Sequence, residues 1–178
     1  DFEDASNQRL EITDANQQSL DLTTNFSILG WIRLESLPSA AVHSFIICSK
    51  HLTTGNQRSF RLVVGSPANE LNCKLSSDGI SDTTANGATA LSTSTWYSVA
   101  VVYNGTDIRI YLNGVLDSNG ANNPKAFTSS VFNSTASFVI GGDAAGDDFD
   151  GLIDNLRIMN VALTATQVLA WHNTGSIA

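Results

Sequence analysis

Residues 148–164, DFDGLIDNLRIMNVALT, place an acidic side chain inside an otherwise apolar strand pattern. Side chains alternate along a strand, so Leu152, Asp154, Leu156 and Ile158 share one face, and Ile153, Asn155, Arg157 and Met159 take the other. If the first face looks into a core, Asp154 needs a cation, an arginine or a cluster of backbone amides, because a buried, unpaired carboxylate forfeits its hydration.

Outward from this strand, short strand-like runs recur between turn signals, as expected of an antiparallel sandwich rather than of alternating β and α units. They cover about Arg9–Ile12, Phe26–Leu34, Phe45–Ser49, Ser59–Val64, Leu71–Ser76, Tyr97–Tyr103, Ile108–Leu112, Phe138–Gly141 and Leu152–Met159. Asn113-Gly114 between IRIYL and VLD is the clearest tight hairpin turn, and Asn104-Gly105 is a second. The segment TATQVLAWHN, Thr164 to Asn173, has a Thr start and a Gly175 stop, which predicts one terminal helix covering an end of the sandwich. The small, polar stretch Ser76 to Ser94 reads as a loop with one short edge strand. Such loops can form a recognition rim, which makes Asp78 and Asp82 candidate ligand-binding residues.

Three segments carry a resemblance to a known family. FDGLIDNLRIMNVALT resembles the closing signature of laminin-G-like domains in the concanavalin A-like lectin/glucanase superfamily. TSTWYSVAVVYNGTDIRIYLNGVL, Thr93 to Leu116, resembles that family's central hairpin, and FSILGWIRLESL, Phe26 to Leu37, an early core strand. The resemblance implies an all-β, antiparallel two-sheet jelly-roll sandwich with a short C-terminal helix, filling residues 1–178 as one domain. It says little about function, since the superfamily includes lectins, glycosidases, adhesion modules and virion proteins.

Composition agrees with one all-β unit: 178 residues with 42% hydrophobic content can bury a substantial core. Seventeen acidic against 9 basic residues give a net charge of −8, which repels a phosphate backbone and argues against nucleic acid as a partner. No apolar run approaches the roughly 20 residues that cross a bilayer. The chain starts at Asp1 with neither an initiator Met nor a signal-like segment, and so reads as a mature product or an excised domain.

Metal binding is expected from two sources. Asp143, Asp147, Asp148 and Asp150 crowd a Gly-rich turn where oxygen ligands could converge on calcium, although Asp and Gly favour turns for backbone reasons alone. The family resemblance implies Asp154 and Glu3 as side-chain ligands of a structural calcium, with Asp143 and Asp150 as further candidates. The alternative for Asp154 is hydrogen bonding to backbone amides. Glu3-Asp4 stands where many relatives have Asp-Gly.

Catalysis is not expected. Retaining glycosidases of the superfamily carry a Glu-x-Asp-x-x-Glu type arrangement on one strand, and the nearest pairs here, Glu11 with Asp14 and Asp148 with Asp150, lack a third strand carboxylate. His43, His51 and His172 have no nucleophile in a recognisable elbow and read as loop or surface residues. Trp31, Trp96 and Trp171 could stack on sugar rings, but each fits a structural position more readily. Arg109 and Tyr111 alternate opposite Ile108, Ile110 and Leu112, so they are expected on a solvent-facing sheet surface as ligand-binding candidates. Cys48 and Cys73 flank SFRLVV; a meander separates them by roughly 9.5 Å, beyond bridging distance, whereas a change of sheet would bring them together.

The expected role is a non-catalytic recognition module on an extracellular, cell-surface or virion-surface protein. Its partner would be a glycan or a surface protein, bound without membrane insertion, and avidity would come from homo-oligomers or a larger assembly. The alternative is a structural decoration or subunit-docking domain of a virion, fibre or surface assembly.

Overall fold

The structure, a computed structural model, describes residues 1–3, 8–17, 19–143 and 147–176. In chain order its elements are β1 (Leu10–Ile12), β2 (Phe26–Leu34), α1 (Pro38–Ala41), β3 (Phe45–Leu52), β4 (Gln57–Gly65) and β5 (Glu70–Leu75). They continue with β6 (Thr83–Asn86), β7 (Trp96–Tyr103), β8 (Asp107–Leu112), β9 (Val115–Leu116), β10 (Lys125–Ala126), β11 (Phe138–Ile140), β12 (Gly151–Met159) and α2 (Ala165–Thr174). One sheet has the order β1-β11-β3-β4-β5-β6, and the other has the order β10-β8-β7-β2-β12 with β9 paired to β8. This is the antiparallel two-sheet jelly-roll sandwich expected from the sequence.

The two sheets differ in what covers their outer faces, and the strand sequences show it. In β5, ELNCKL, burial alternates because only Leu71, Cys73 and Leu75 face the core. In β2, FSILGWIRL, and in the VAVV run of β7, both faces are apolar. Phe26, Ile28, Ile32, Val99 and Val101 enter the inter-sheet core. Leu29, Ala100 and Val102 point outward instead, where Val168 and Trp171 of α2 cover them. The helix thus lies on the outer face of the second sheet rather than on the expected end of the sandwich. A contiguous apolar strip outside that sheet leaves it a larger surface to bury there.

Both ends of α2 follow its sequence. The Thr164 hydroxyl accepts from the Gln167 N–H and the Gln167 side chain accepts from the Thr164 N–H, a capping box, while Gly175 closes the helix at φ 69°. The Asn113-Gly114 turn has φ 50° and 78°, as a type I′ hairpin requires. A Cβ on Gly114 would lie 2.9 Å from the Leu169 side chain, so this glycine also lets the hairpin seat against α2.

Strand β12 departs from simple alternation. Its register against β2 shifts between Asp154 and Arg157, where Asn155 takes φ 52°. Ile153, Leu156 and Ile158 therefore all pack on the inter-sheet core, and Met159 joins the outer cluster under α2. Asp154 is exposed on the outer face. This corrects the expected sharing of one face by Leu152, Asp154, Leu156 and Ile158, and removes the need for a buried partner. At its start, β12 is joined to the N-terminus: Phe2 and Gly151 exchange two backbone hydrogen bonds of 2.9 Å, and the Phe2 ring enters the core.

Cys48 and Cys73 are both buried free thiols on the core face, each opposite Leu62 of the intervening β4. The meander reading therefore holds. At the other flank of the first sheet, fully buried Lys50 bonds the Ser134 carbonyl at 2.5 Å, Asp21 at 3.0 Å and Asp14. This ammonium ties the segment before β2 to the sandwich.

Candidate functional site: an aromatic shelf outside the second sheet

Neighbouring strands β12, β2 and β7 present their outward residues in rows. Asp154 lies opposite Trp31 and Trp31 opposite Ser98, while the next row sets Arg33 against Trp96. Trp31 is held on its helix side. Its ring stacks on His172 at 5.6 Å and leans on buried Trp171 at 6.0 Å, and the Ser98 hydroxyl bonds His172 Nδ1 at 2.8 Å. Trp96, by contrast, is 43% exposed, which corrects the structural role expected for it.

Trp31, Trp96, Asp154 and Asn155 line one open depression of about 350 Å³. The Asp154 carboxylate makes no hydrogen bond with any described residue, and Asn155 Oδ1 accepts from Arg157 Nε at 3.1 Å. The bulge produces this arrangement, since regular alternation would aim two consecutive polar residues at opposite faces. A left-handed, non-glycine residue beside such a depression is the kind of strain that collects at functional positions. Chemically, the shelf offers aromatic surface next to a carboxylate and an amide. Sequence reading passed over Asn155; the signal was an Asp-Asn pair, tolerant of left-handed backbone, in mid-strand.

The other predicted site residues lie apart from this shelf. Tyr111 is only 3% exposed because α2 covers it, so the expected solvent-facing surface at Arg109 and Tyr111 becomes the floor of a crevice beside the helix. Asp78 accepts from the Ser76 hydroxyl and from the backbone N–H groups of Ile80 and Ser81. The two backbone donors, Ser81 foremost, hold its carboxyl below the usual range. Asp82 is engaged by His51 Nε2 at 3.2 Å and by Arg58 at 3.9 Å. Burial pushes its carboxyl up, but His51, Arg58 and Lys74 together outweigh that and the net direction is down. Both aspartates therefore act as loop struts. His51 belongs to β3 and His172 to α2, neither being the expected loop or surface residue.

The expected calcium ligands do not converge. The antiparallel Phe2–Gly151 bridge sets Glu3 beside Asp150, four residues or about 13 Å of strand from Asp154. Among the described residues, Glu3 instead has its carboxylate within 4.8 Å of those of Asp1 and Glu35. Asp143 lies 3.8 Å from the Arg61 guanidinium, which also pairs with Asp147. Asp150 gives its carbonyl to the Glu35 N–H at 3.0 Å. Glu3, Asp154, Asp143 and Asp150 thus do not fit one cation. Asp4 lies outside the described residues. The nearest acidic pairs are also separately engaged, with Glu11 on Arg9 and Asp14 on Lys50, while Asp148 is buried.

Comparison with known proteins agrees with this fold. Residues 4–169 match the family described as the concanavalin A-like lectin/glucanases superfamily. No curated protein matches the chain significantly. Among solved structures, a heptameric SAP-like pentraxin from Limulus polyphemus is similar at 22% identity and a TM-score of 0.61, over 88% of this chain and 73% of that one. Domain 4 of a GH43 extracellular arabinanase from Geobacillus stearothermophilus, in complex with arabinotriose, has 25% identity and a TM-score of 0.60, over 85% and 68%. The ligand-binding domain of botulinum neurotoxin serotype D, in complex with N-acetylneuraminic acid, has 14% identity and a TM-score of 0.64, over 93% of this chain but 40% of that one.

Proposed function

The chain belongs to the concanavalin A-like lectin/glucanases superfamily, and from that premise we propose that it is a non-enzymatic carbohydrate-recognition module that binds neutral oligosaccharides on the Trp31–Trp96 shelf. The observation that carries this reading is the exposed Trp96 indole sharing one depression with Asp154 and Asn155. A pyranose or furanose ring has an apolar C–H face that stacks on indole, while its hydroxyls donate to carboxylate and amide oxygens at the edge. Asp154 and a net charge of −8 disfavour acidic sugars at this shelf. The arabinotriose bound by the arabinanase domain supports starting with arabino-oligosaccharides.

One shelf of this size gives weak binding, so a useful affinity requires several copies on one assembly. The deciding experiment is a glycan array probed with a tetravalent form of the protein, alongside Trp96→Ala. Retention of neutral oligosaccharides by wild type and loss by the variant is the expected result. Binding that survives Trp96→Ala would remove the shelf from the reading. No retained glycan, with co-purification in an assembly, would favour the docking role instead.

A further inference from the structure

A second crevice, of about 580 Å³, lies between the β8–β9 hairpin and the start of α2. Its walls are apolar, from Val115, Leu116, Pro124 and Leu169, and its polar side chains are Arg109, Tyr111 and Thr166. No carboxylate lines it, although the chain as a whole carries −8.

Three observations place unmet hydrogen-bonding capacity here. Tyr111 is only 3% exposed as a residue, and its hydroxyl, which makes no hydrogen bond with any described residue, stays open to the crevice. The Arg109 guanidinium is satisfied on one edge, through Nη2 to Asp107 at 3.3 Å, while its Nε is enclosed with no partner. The capping box of α2 satisfies the N–H groups of Thr164 and Gln167 but leaves those of Ala165 and Thr166 without an acceptor among the described residues, and both residues line the crevice. The first turn of this ten-residue helix holds no acidic side chain to offset its positive end.

We infer that this crevice binds a small carboxylate with a flat apolar body. Its anion would meet Arg109, the Tyr111 hydroxyl and the free N–H groups of Ala165 and Thr166. Its hydrocarbon face would lie on Leu116 and Leu169. A bidentate guanidinium contact and a helix N-terminus both select a planar anion over a neutral hydroxyl ligand. The site is separate from the aromatic shelf and has the opposite charge preference.

The test is a two-dimensional amide NMR titration of the intact chain with benzoate, and with benzamide as the neutral isostere. Saturating shifts at Ala165, Thr166 and the Arg109 side chain with benzoate, and none with benzamide, are expected. Arg109→Gln and the conservative Tyr111→Phe, each checked for an unchanged remaining spectrum, should each weaken the benzoate affinity by about tenfold, the loss of one charge-assisted or buried hydrogen bond. Equal shifts from benzoate and benzamide would overturn the anion assignment. Scattered or non-saturating shifts, or a titration unchanged in both variants, would overturn the site.

Discussion

Asn155 decides where Asp154 points, and a substitution series can weigh it. With φ at 52°, Asn155→Gly should leave thermal unfolding near wild type, whereas Asn155→Val should cost about 1–2 kcal/mol, the penalty of a β-branched residue in left-handed backbone. Asp154→Ala should stay within about 0.5 kcal/mol of wild type in urea unfolding, because an exposed carboxylate without a bonded partner contributes little. The cysteines make the contrasting case. Burial pushes the Cys48 thiol from 9.0 up to about 12, and Cys73 is raised by burial and by its neighbour Cys48. Above pH 9 the unfolded chain loses these protons while the native state keeps them, so native stability declines as pH rises from 9 toward 12. Urea midpoints should fall across that window and fall less in Cys48→Ala, and a thiol reagent should label neither cysteine before unfolding. Residue identities made the thiol burial legible, since both cysteines sit in apolar strand patterns. They hid the facing of Asp154, because one left-handed residue inverts every alternation after it.

The elements legible in the sequence are those whose neighbours along the chain specify them. Strand β2 matches its expected bounds, Phe26–Leu34, and α2 was marked by its Thr164 and Gly175 caps. What α2 packs on depends on a strip assembled from β2, β7 and β8, which no local pattern displays; this is why Tyr111 reads as exposed from sequence and is covered in the fold. The two-residue strands β9 and β10 and the one-turn α1 are also set by tertiary contacts rather than by periodicity. Two outcomes follow at this scale. Trp171→Ala, which empties the seat of α2, should cost about 3–5 kcal/mol in urea unfolding and expose Tyr111 to solvent quenching. Lys50→Met should destabilise by less than the roughly 3–5 kcal/mol typical of a stranded buried charge, because Asp14 and Asp21 keep 32% and 27% of their side-chain surface in water. Burial raises the Asp21 carboxyl, but the Lys50 ammonium and the Gln17 amide outweigh it and hold it below its ordinary 3.8. Its stabilising share is therefore present above that value and is lost on acidification below it, a loss the Lys50→Met protein should not show.

For the whole molecule, the −8 charge and the apolar stacking surface together predict how recognition responds to solution conditions. Binding of a neutral oligosaccharide on the shelf should be almost unchanged between 50 and 300 mM salt (about a threefold change in Debye length or less), whereas benzoate in the crevice beside α2 should weaken as salt screens Arg109. Calorimetry at the two ionic strengths separates the sites without mutation. Strand β12 joins these scales, because its first half is timed by the Phe2 bridge and its second half by α2, with Asn155 as the half-step between the two rhythms. Deletion of that single residue would restore plain alternation, with Ile153, Leu156 and Ile158 still on the core side and the kink beside Asp154 gone. Evolution can thus repaint Asp154 and its neighbours on the outer face, and can even drop that one beat without unmaking the sandwich, losing only the kink that sets Asp154 beside Asn155.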